Sequence, residues 1–199
     1  MKPAPIILRL TAGLIDVFIF SSLPLIFLLK LSSAFDIPSV MDALLSFVMI
    51  VIFGSFILTL LNTFLTSAIG GSIGKLITGL SVVDSSGKTI KFPRALFRNF
   101  VGYTISGVFL NAGFIWILID PGHRAWHDLA SDTWVTLTRP SRQIFGAAFA
   151  LILLGLNVYL VVQIFSRVSN NISFYQEVGQ DIYQETQNLI PTPTPRLTI

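Results

Sequence analysis

Long stretches without a charged residue constrain this chain most. Residues 43–69, 99–119 and 143–166 contain no Asp, Glu, Lys or Arg, and residues 10–29 contain only Asp16. The hydrocarbon core of a bilayer is about 30 Å thick, and a helix of roughly 20 residues crosses it. The stretches lack the alternating polarity of barrel strands. We therefore predict an all-α membrane protein with four transmembrane helices.

The small number of charges excludes several classes of protein. The chain has 199 residues, of which 12% are charged, whereas a soluble domain carries about a quarter. A water-soluble globule, a disordered chain and a nucleic-acid-binding protein with a large basic face do not fit this composition. Because cysteine is absent, disulfides, thiolate metal sites and a cysteine nucleophile are excluded as well. We expect no cofactor and no nucleic-acid partner.

The domain organisation follows from these stretches. We predict a membrane domain over residues 1–142, an additional transmembrane helix over 143–166 and a polar, Pro-rich tail over 167–199. The membrane domain comprises helices at about 6–29, 43–67 and 99–120, a basic interfacial segment at 70–98 and a His/Asp segment at 121–138. Within the basic segment, residues 80–83 and 89–92 flank a turn at 84–87, which predicts a β-hairpin.

The first apolar stretch could be either a transmembrane helix or a cleavable signal peptide. We expect it to be retained, because Asp16 interrupts the apolar stretch and Lys30 follows it.

The distribution of basic residues predicts the orientation in the membrane. Four full crossings place eight Lys and Arg residues near the helix ends on the N-terminal side and four on the other side. If residues 99–119 instead enter the membrane and return, the counts become ten and two. Both alternatives place the N-terminus and the basic segment in the cytoplasm, at a plasma membrane whose anionic lipids the basic segment would contact.

Asp16 is the most informative single residue. It lies within the first apolar stretch, where a charged side chain costs roughly 2.5–3.5 kcal/mol to insert. One interpretation is an ion or proton site, because desolvation favours the protonated form of a carboxyl. The other is a static pair with a basic group such as Arg9, which would fix how the helices pack. Both interpretations remain open from the sequence.

The segment at 121–138 carries a second group of ionisable residues. On a helix, His123 with His127 and Arg124 with Asp128 would be neighbours four residues apart. Two histidines and an aspartate could bind zinc in a membrane enzyme. A further convergent ligand and a catalytic glutamate are not evident, so we favour an interfacial helix anchored by Trp126 and Trp134. We expect no metal and no enzymatic activity.

Four blocks of sequence, in this order, resemble the RDD family of integral membrane proteins. The blocks are Arg9–Asp16, Gly71–Gly87, Arg94–Asn99 and His127–Thr133. One departure is Ser131-Asp132, which stands where the family usually has glycine. The resemblance implies membrane residence and a role in transport, with some members linked to cation/proton exchange and others to membrane-protein complexes.

The family is named for one arginine and two aspartates, so the resemblance implies functional roles for Arg9, Asp16 and Asp128. We predict that these three form one polar cluster that assists transport of an ion or small solute. Supporting residues would be Lys75, Arg124, His127 and Asp132. The alternative is a non-catalytic scaffold or assembly factor that docks partner membrane proteins. Because few helices are available to enclose a path, we expect a homo-oligomer or a partner membrane protein.

Overall fold

A computed structural model describes residues 2–33, 36–108 and 110–189 of the chain. Four of its five longest elements are the helices α1 (Ile6–Leu31), α2 (Ile37–Met49), α3 (Ser55–Ile69) and α9 (Gln143–Asn170). A π-helical segment, Ile50–Gly54, joins α2 to α3. The shorter elements are α4 (Ile73–Thr78), β1 (Leu80–Val83), α5 (Phe92–Phe97), α6 (Tyr103–Val108), α7 (Ala112–Ile115), α8 (Trp126–Ala130) and β2 (Trp134–Leu137). A second π-helical segment, Arg98–Gly102, joins α5 to α6.

Three helical stretches are long and apolar enough to cross a membrane: Ile6–Leu31, Pro38–Ile69 and Pro140–Asn170. A bent pair of helical stretches, Phe92–Val108 and Ala112–Leu118, meets at 103° and would be a fourth if counted as one span. The bend falls in the predicted third helix. The predicted all-α membrane architecture is therefore confirmed, with a broken third apolar segment.

Helix α9 runs alongside α1 in the same direction. Just before α9, a carbonyl of β2 accepts a hydrogen bond from the backbone N–H of Ala4 (2.9 Å), at the start of α1. Midway along, the hydroxyl of Ser21 donates to Asn157 Oδ1 (2.7 Å). Near the end of α9, Arg167 contacts Ser33, which follows α1. Helix α9 therefore begins on the N-terminal side of the protein and ends on the opposite side.

The bent pair returns to the side from which it starts. Arg98 lies near its beginning and Asp128 follows its end, yet Arg98 Nη2 donates to Asp128 Oδ1 over 2.6 Å. Arg9, at the N-terminal end of α1, also pairs with Asp128. Between the two arms of the pair, Leu110 is 93% exposed. Of the two chain paths that the sequence leaves open, these contacts favour the one that enters the membrane and returns.

Strand β1 pairs with a partner that the sequence does not predict. It runs antiparallel to β2, with Leu80 opposite Leu137 and Val83 opposite Trp134. The turn at 84–87 forms, with Gly87 at φ 82°, but residues 89–92 contribute only an isolated bridge at Thr89. The predicted second strand is cut short because α5 begins at Phe92 with Pro93 in its first turn, a position that suits proline.

A small apolar core joins this sheet to the start of α1. Its members are Ala4, Leu8, Ala12, Leu80, Val82, Ile90, Ala95 and Val135. The core fixes the N-terminal end of α1 against β1, β2 and α5, and so determines where Arg9 lies. After α9, the predicted tail contains a helix, α10 (Ile172–Leu189), and residues 190–199 lie outside the described part of the chain.

This arrangement predicts the result of a cysteine-accessibility map. Single cysteines at Ser86, Ser141 and Ser173, all exposed, would be introduced into the cysteine-free chain. We expect Ser86→Cys and Ser141→Cys to react with an impermeant maleimide from one side of the membrane and Ser173→Cys from the other, because α9 crosses in the direction of α1. Labelling of Ser141→Cys from the side opposite to Ser86→Cys would instead require four full crossings.

Candidate functional site

Asp128 lies at the centre of a buried charge cluster. Its Oδ1 accepts from Arg98 Nη2 (2.6 Å), and its Oδ2 accepts from Arg9 Nη2 and from the backbone N–H of Ala125 (3.2 Å). The side chains of Asp128 and Arg98 are 0% and 1% exposed, and that of Arg9 is 7% exposed. We call Arg9, Arg98 and Asp128 the Asp128 cluster; it links α1, the second π-helical segment and α8.

The π-helical turn at Arg98–Gly102 explains how two neighbouring polar residues both point inward. Arg98 and Asn99 are buried to 1% and 6% exposure. Because a π-turn widens the helix locally, Arg98 meets Asp128 while Asn99 Nδ2 donates to Thr63 Oγ1 on α3 (3.1 Å). At the end of the turn, a Cβ on Gly102 would lie 2.9 Å from the Cβ of His127. Only a glycine at position 102 therefore lets α8 pack this closely against the π-helical segment.

The electrostatics of the Asp128 cluster are those of a fixed ion pair. Burial alone would raise the pKa of Asp128, but the positive charges of Arg98 and Arg9 more than offset it and hold the pKa far below its usual range. Charge-assisted hydrogen bonds of this kind are among the strongest in proteins. Asp128 is therefore ionised at any physiological pH, and its two arginines hold it in place.

His127 lies beside this cluster in an aromatic pocket. Its ring is 4.5 Å from the ring of Tyr103 and 5.2 Å from that of Phe114, measured between centroids. Its Nδ1 lies 3.2 Å from Ser106 Oγ. Burial lowers the pKa of His127 well below the ordinary value for histidine, and the effect of Asp128, which would raise it, is smaller. The folded protein therefore holds His127 neutral.

Asp16 lies in a different environment, among uncharged donors. Its Oδ2 accepts from the hydroxyl of Ser72 (2.6 Å), and its Oδ1 accepts from the backbone N–H of Gly74 (2.7 Å). A Cβ on Gly74 would lie 2.0 Å from the carbonyl oxygen of Ala12, so only glycine lets α4 come this close to α1. Arg9, which the sequence analysis pairs with Asp16, instead contacts Asp128 and the carbonyl of His123.

The carboxylate of Asp16 faces a cleft between α1 and α3. The cleft has a volume of about 230 Å³ and is lined by apolar side chains together with the polar residues Asp16, Ser55, Thr59 and Asn62. Asp16 is half-buried, so the cleft gives access to it from outside the helix packing. Asp16 is thus a membrane-embedded carboxylate next to a space that a small ion could enter.

Lys75 lies between the Asp16 site and the Asp128 cluster. It is 9% exposed, and its Nζ donates to Ser72 Oγ (3.2 Å) and to the hydroxyl of Tyr103 (3.4 Å). Over the ring of the same Tyr103 lies the guanidinium of Arg98, at 5.6 Å from its centroid. The predicted single cluster is therefore arranged as two sites, with Lys75 and Tyr103 between them.

The remaining predicted supporting residues lie outside both sites. Arg124 stacks over the ring of Trp134 at 4.4 Å and lies 3.5 Å from Asp120. Asp132 is 64% exposed and pairs with Arg94 over 2.9 Å. The backbone of Asp132 has φ 46°, a left-handed conformation that glycine adopts most readily. This agrees with the glycine that the family usually has near this position.

The helical pairing predicted for the segment at 121–138 does not form. His123 has φ 51°, and helix α8 begins only at Trp126. The reason is a turn closed by Asp120, whose Oδ2 accepts from the backbone N–H groups of Gly122 and Arg124 (2.9 Å each). His123 and His127 therefore do not share a helix face. Within residues 2–33, 36–108 and 110–189, no group of three or more His, Cys, Asp or Glu residues could hold a metal ion.

Three residues of the two sites are not singled out by the sequence analysis: Arg98, Ser72 and Tyr103. Arg98 lies there within the family-like block Arg94–Asn99, without a role of its own. Ser72 and Tyr103 are polar residues in apolar or glycine-rich surroundings, and nothing local connects them to Asp16 or Lys75.

Comparison with known proteins identifies one family. The model of the RDD family matches residues 3–132 of this chain. The match contains both sites and ends before α9. No curated protein and no solved structure matches the chain.

The Asp128 cluster predicts a large loss of stability in Asp128→Asn. Removing one partner of a buried ion pair leaves an uncompensated charge, which costs about 3–5 kcal/mol. We expect a markedly lower melting temperature in mild detergent. The control is Asp132→Asn, which removes the charge from the exposed pair with Arg94 and should cost no more than about 1 kcal/mol. Equal melting temperatures for the two variants would contradict a structural role for the cluster.

His127 predicts that the protein loses stability in mild acid. Since its pKa is lowered on folding, the unfolded chain binds a proton below about pH 6.5 that the folded chain does not, and stability falls as the pH falls. We expect the decrease in melting temperature between about pH 7 and about pH 5 to be smaller in His127→Gln. His123→Gln is the matched control and should keep the wild-type slope; if both variants keep it, the buried neutral histidine is not its cause.

Proposed function

This chain belongs to the RDD family of integral membrane proteins, and on that basis we propose that it assists the passage of a small cation across the membrane, with Asp16 as the group that binds it. The observation that carries the proposal is the contrast between the surroundings of the two carboxylates. Asp128 is held by two arginines, whereas Asp16 is held by a hydroxyl and a backbone N–H and faces a cleft.

The contrast supports different tasks for the two aspartates. Asp128 has no remaining need for a counter-ion, because guanidinium groups bind both of its oxygens. Asp16 forms no direct ion pair among the described residues. A carboxylate at membrane depth is costly unless a cation or a proton neutralises it. A cation that enters the cleft would supply this neutralisation.

The chemistry of the cleft favours a monovalent cation. A single carboxylate is joined there by the hydroxyls of Ser55 and Thr59 and by the amide of Asn62. Divalent cations such as Ca²⁺ are usually bound by several carboxylates, and the cleft offers one. Oxygen ligands with one negative charge suit an ion of one positive charge.

A second cleft on the opposite side of the protein supports a path along the same helices. It has a volume of about 370 Å³ and lies between the end of α1 and the start of α2. Its lining is polar and consists mainly of Lys30, Ser33, Asp36, Ser39, Asp42 and Ser46. Both clefts thus lie between α1 and the stretch formed by α2 and α3, and the path would run along this boundary.

Three crossing helices form a thin wall, so the proposal includes a homo-oligomer or a partner membrane protein around the path. The basic residues beside the Asp128 cluster would face the cytoplasm and the anionic lipids of the plasma membrane. The alternative function, a scaffold that docks partner membrane proteins, needs the Asp128 cluster for its fold but has no use for an accessible Asp16. Substitution of Asp16 therefore distinguishes the two.

We expect Asp16→Asn to abolish cation-dependent proton movement in reconstituted vesicles without a loss of stability. An asparagine keeps an acceptor for the N–H of Gly74 and can donate its Nδ2 to the Ser72 hydroxyl, so the variant removes the charge and reverses one hydrogen bond. The measurement is the fluorescence of a pH-sensitive dye inside the vesicles after addition of sodium chloride, together with the melting temperature.

The control is Asp181→Asn, which removes an exposed carboxylate on α10 and should leave the flux unchanged. Normal flux in Asp16→Asn would contradict the proposal. An absence of flux in the wild type, combined with copurification of a stoichiometric partner, would favour the scaffold.

A further inference from the structure

An apolar groove lies beside the Asp16 cleft and shares part of its wall. We call it the phenylalanine groove; it has a volume of about 530 Å³ and is lined by Ile52, Phe53, Ser55, Phe56, Thr59 and Phe100. Ser55 and Thr59 line the Asp16 cleft as well. The two spaces therefore lie on either side of one ridge of α3, and a molecule that crosses this ridge contacts both.

The two π-helical segments border the phenylalanine groove. One wall comes from Ile50–Gly54, and another comes, through Phe100, from Arg98–Gly102. The ring of Phe56 meets the ring of Phe100 edge-on, with 5.9 Å between the centroids and 69° between the planes. Short π-helical segments inside helices are frequent at functional sites. Both irregular turns thus contribute to one aromatic wall.

The phenylalanine groove opens toward the hydrocarbon of the bilayer. The side chains of Ile52, Phe53 and Phe56 are 57%, 56% and 52% exposed, and they lie in the apolar stretch Pro38–Ile69. An inorganic ion does not enter hydrocarbon readily, because it loses its hydration there at a high cost. A molecule with a large apolar group leaves water for lipid. The opening therefore suits a ligand that arrives from the lipid.

The ridge between the two spaces presents hydrogen-bond acceptors. The hydroxyl of Ser55 donates to the carbonyl of Ile52 (2.8 Å), and that of Thr59 donates to the carbonyl of Ser55 (2.7 Å). A hydroxyl has one proton and two lone pairs, so each oxygen can still accept while its proton is held by the backbone. Beside the carboxylate of Asp16, these oxygens favour a ligand group that donates N–H and carries a positive charge.

We propose that the Asp16 cleft and the phenylalanine groove together bind an amphiphilic amine that enters from the bilayer. Its ammonium group lies at Asp16, the hydroxyls of Ser55 and Thr59 accept from its N–H groups, and its apolar part lies among the phenylalanines. The inference rests on the assignment of Asp16 as the cation-binding group in the proposed function, and it deepens that function by naming organic ammonium ions as a substrate class.

The continuity of the two spaces favours this occupant over others. An ammonium group supplies the positive charge that a carboxylate at membrane depth requires. An aromatic or alkyl group bound to it gains apolar contact with the rings of Phe56 and Phe100. A lipid acyl chain or a second copy of this chain would fill the groove without neutralising Asp16. Only a ligand with both parts uses the cleft, the ridge and the groove together.

The test is calorimetric titration of the full chain in nanodiscs with phenylbutylammonium chloride, with empty nanodiscs as the blank. Phenylbutanol keeps the ring and lacks the charge, whereas butylammonium keeps the charge and lacks the ring. We expect the wild type to bind phenylbutylammonium at least about tenfold more tightly than either control ligand, because each of these lacks one half of the contacts.

Substitutions on the two sides of the ridge locate the ligand. Asp16→Asn should abolish the binding of phenylbutylammonium, and Phe56→Ala should weaken it about tenfold. The matched control is Phe165→Ala, which removes a phenylalanine of α9 that is 74% exposed and should leave the affinity unchanged. The melting temperature of each variant is measured alongside.

Three results would overturn the inference. Equal affinity of the wild type for phenylbutylammonium and phenylbutanol would show that the groove takes an apolar group without the carboxylate. Unchanged amine affinity in Asp16→Asn or in Phe56→Ala would place the ligand elsewhere. A particle with two copies that falls to one copy in Phe56→Ala, without amine binding to the wild type, would assign the groove to a second copy.

The proposed function is judged separately, by the flux measurement in vesicles. If the amine does not bind but flux still depends on Asp16, only the inference is overturned. If the amine binds and needs both Asp16 and Phe56, while the wild type shows no sodium-dependent flux, the inference is supported and the passage of sodium is overturned.

Discussion

The fold of the membrane domain depends on the ion pair between Asp128 and its two arginines. Arg9 comes from the first helix, Arg98 from the start of the bent segment and Asp128 from the short helix that follows it, and all three side chains are buried. No two of these residues are close in sequence. Their pairing brings the two ends of the bent segment to the same side of the protein and fixes the start of α1 against the small sheet.

The same arrangement leaves Asp16 available for a different task. Because Arg9 pairs with Asp128, the described residues give Asp16 two hydrogen bonds, from the hydroxyl of Ser72 and from the N–H of Gly74. Two carboxylates in one small domain thus differ in what neutralises them: a fixed pair of guanidinium groups in one case, and in our account an exchangeable cation in the other. For this reason the Asp128 cluster can stabilise the domain while the carboxylate of Asp16 stays accessible.

Part of this picture could be predicted from the sequence. The crossing helices follow from the absence of charge over about 20 residues or more, and the family motifs point to Arg9, Asp16 and Asp128. The sequence leaves the path of the third segment open between a full crossing and a return to the same side, because its length and polarity equal those of a full crossing. The pairing of β1 with β2 leaves no local signal either, since some 50 residues separate the strands.

The sequence does not predict that the polar residues divide into the Asp16 site and the Asp128 cluster. Arg9 and Asp16 lie two helical turns apart, which is compatible with a direct pair, and only the approach of Asp128 from a distant segment decides against it. The contributions of Ser72 and Tyr103 arise from packing between elements, through the close contact of α4 with α1 that Gly74 permits.

The central claim is that a cation exchanges at Asp16 and leaves Asp128 undisturbed. Infrared difference spectroscopy of the protein in lipid, between sodium and choline solutions, tests it most directly. The account predicts a change in carboxyl absorption that disappears in Asp16→Asn. A difference spectrum that is the same in the wild type and in this variant, or the absence of any carboxyl signal on addition of sodium, would contradict it.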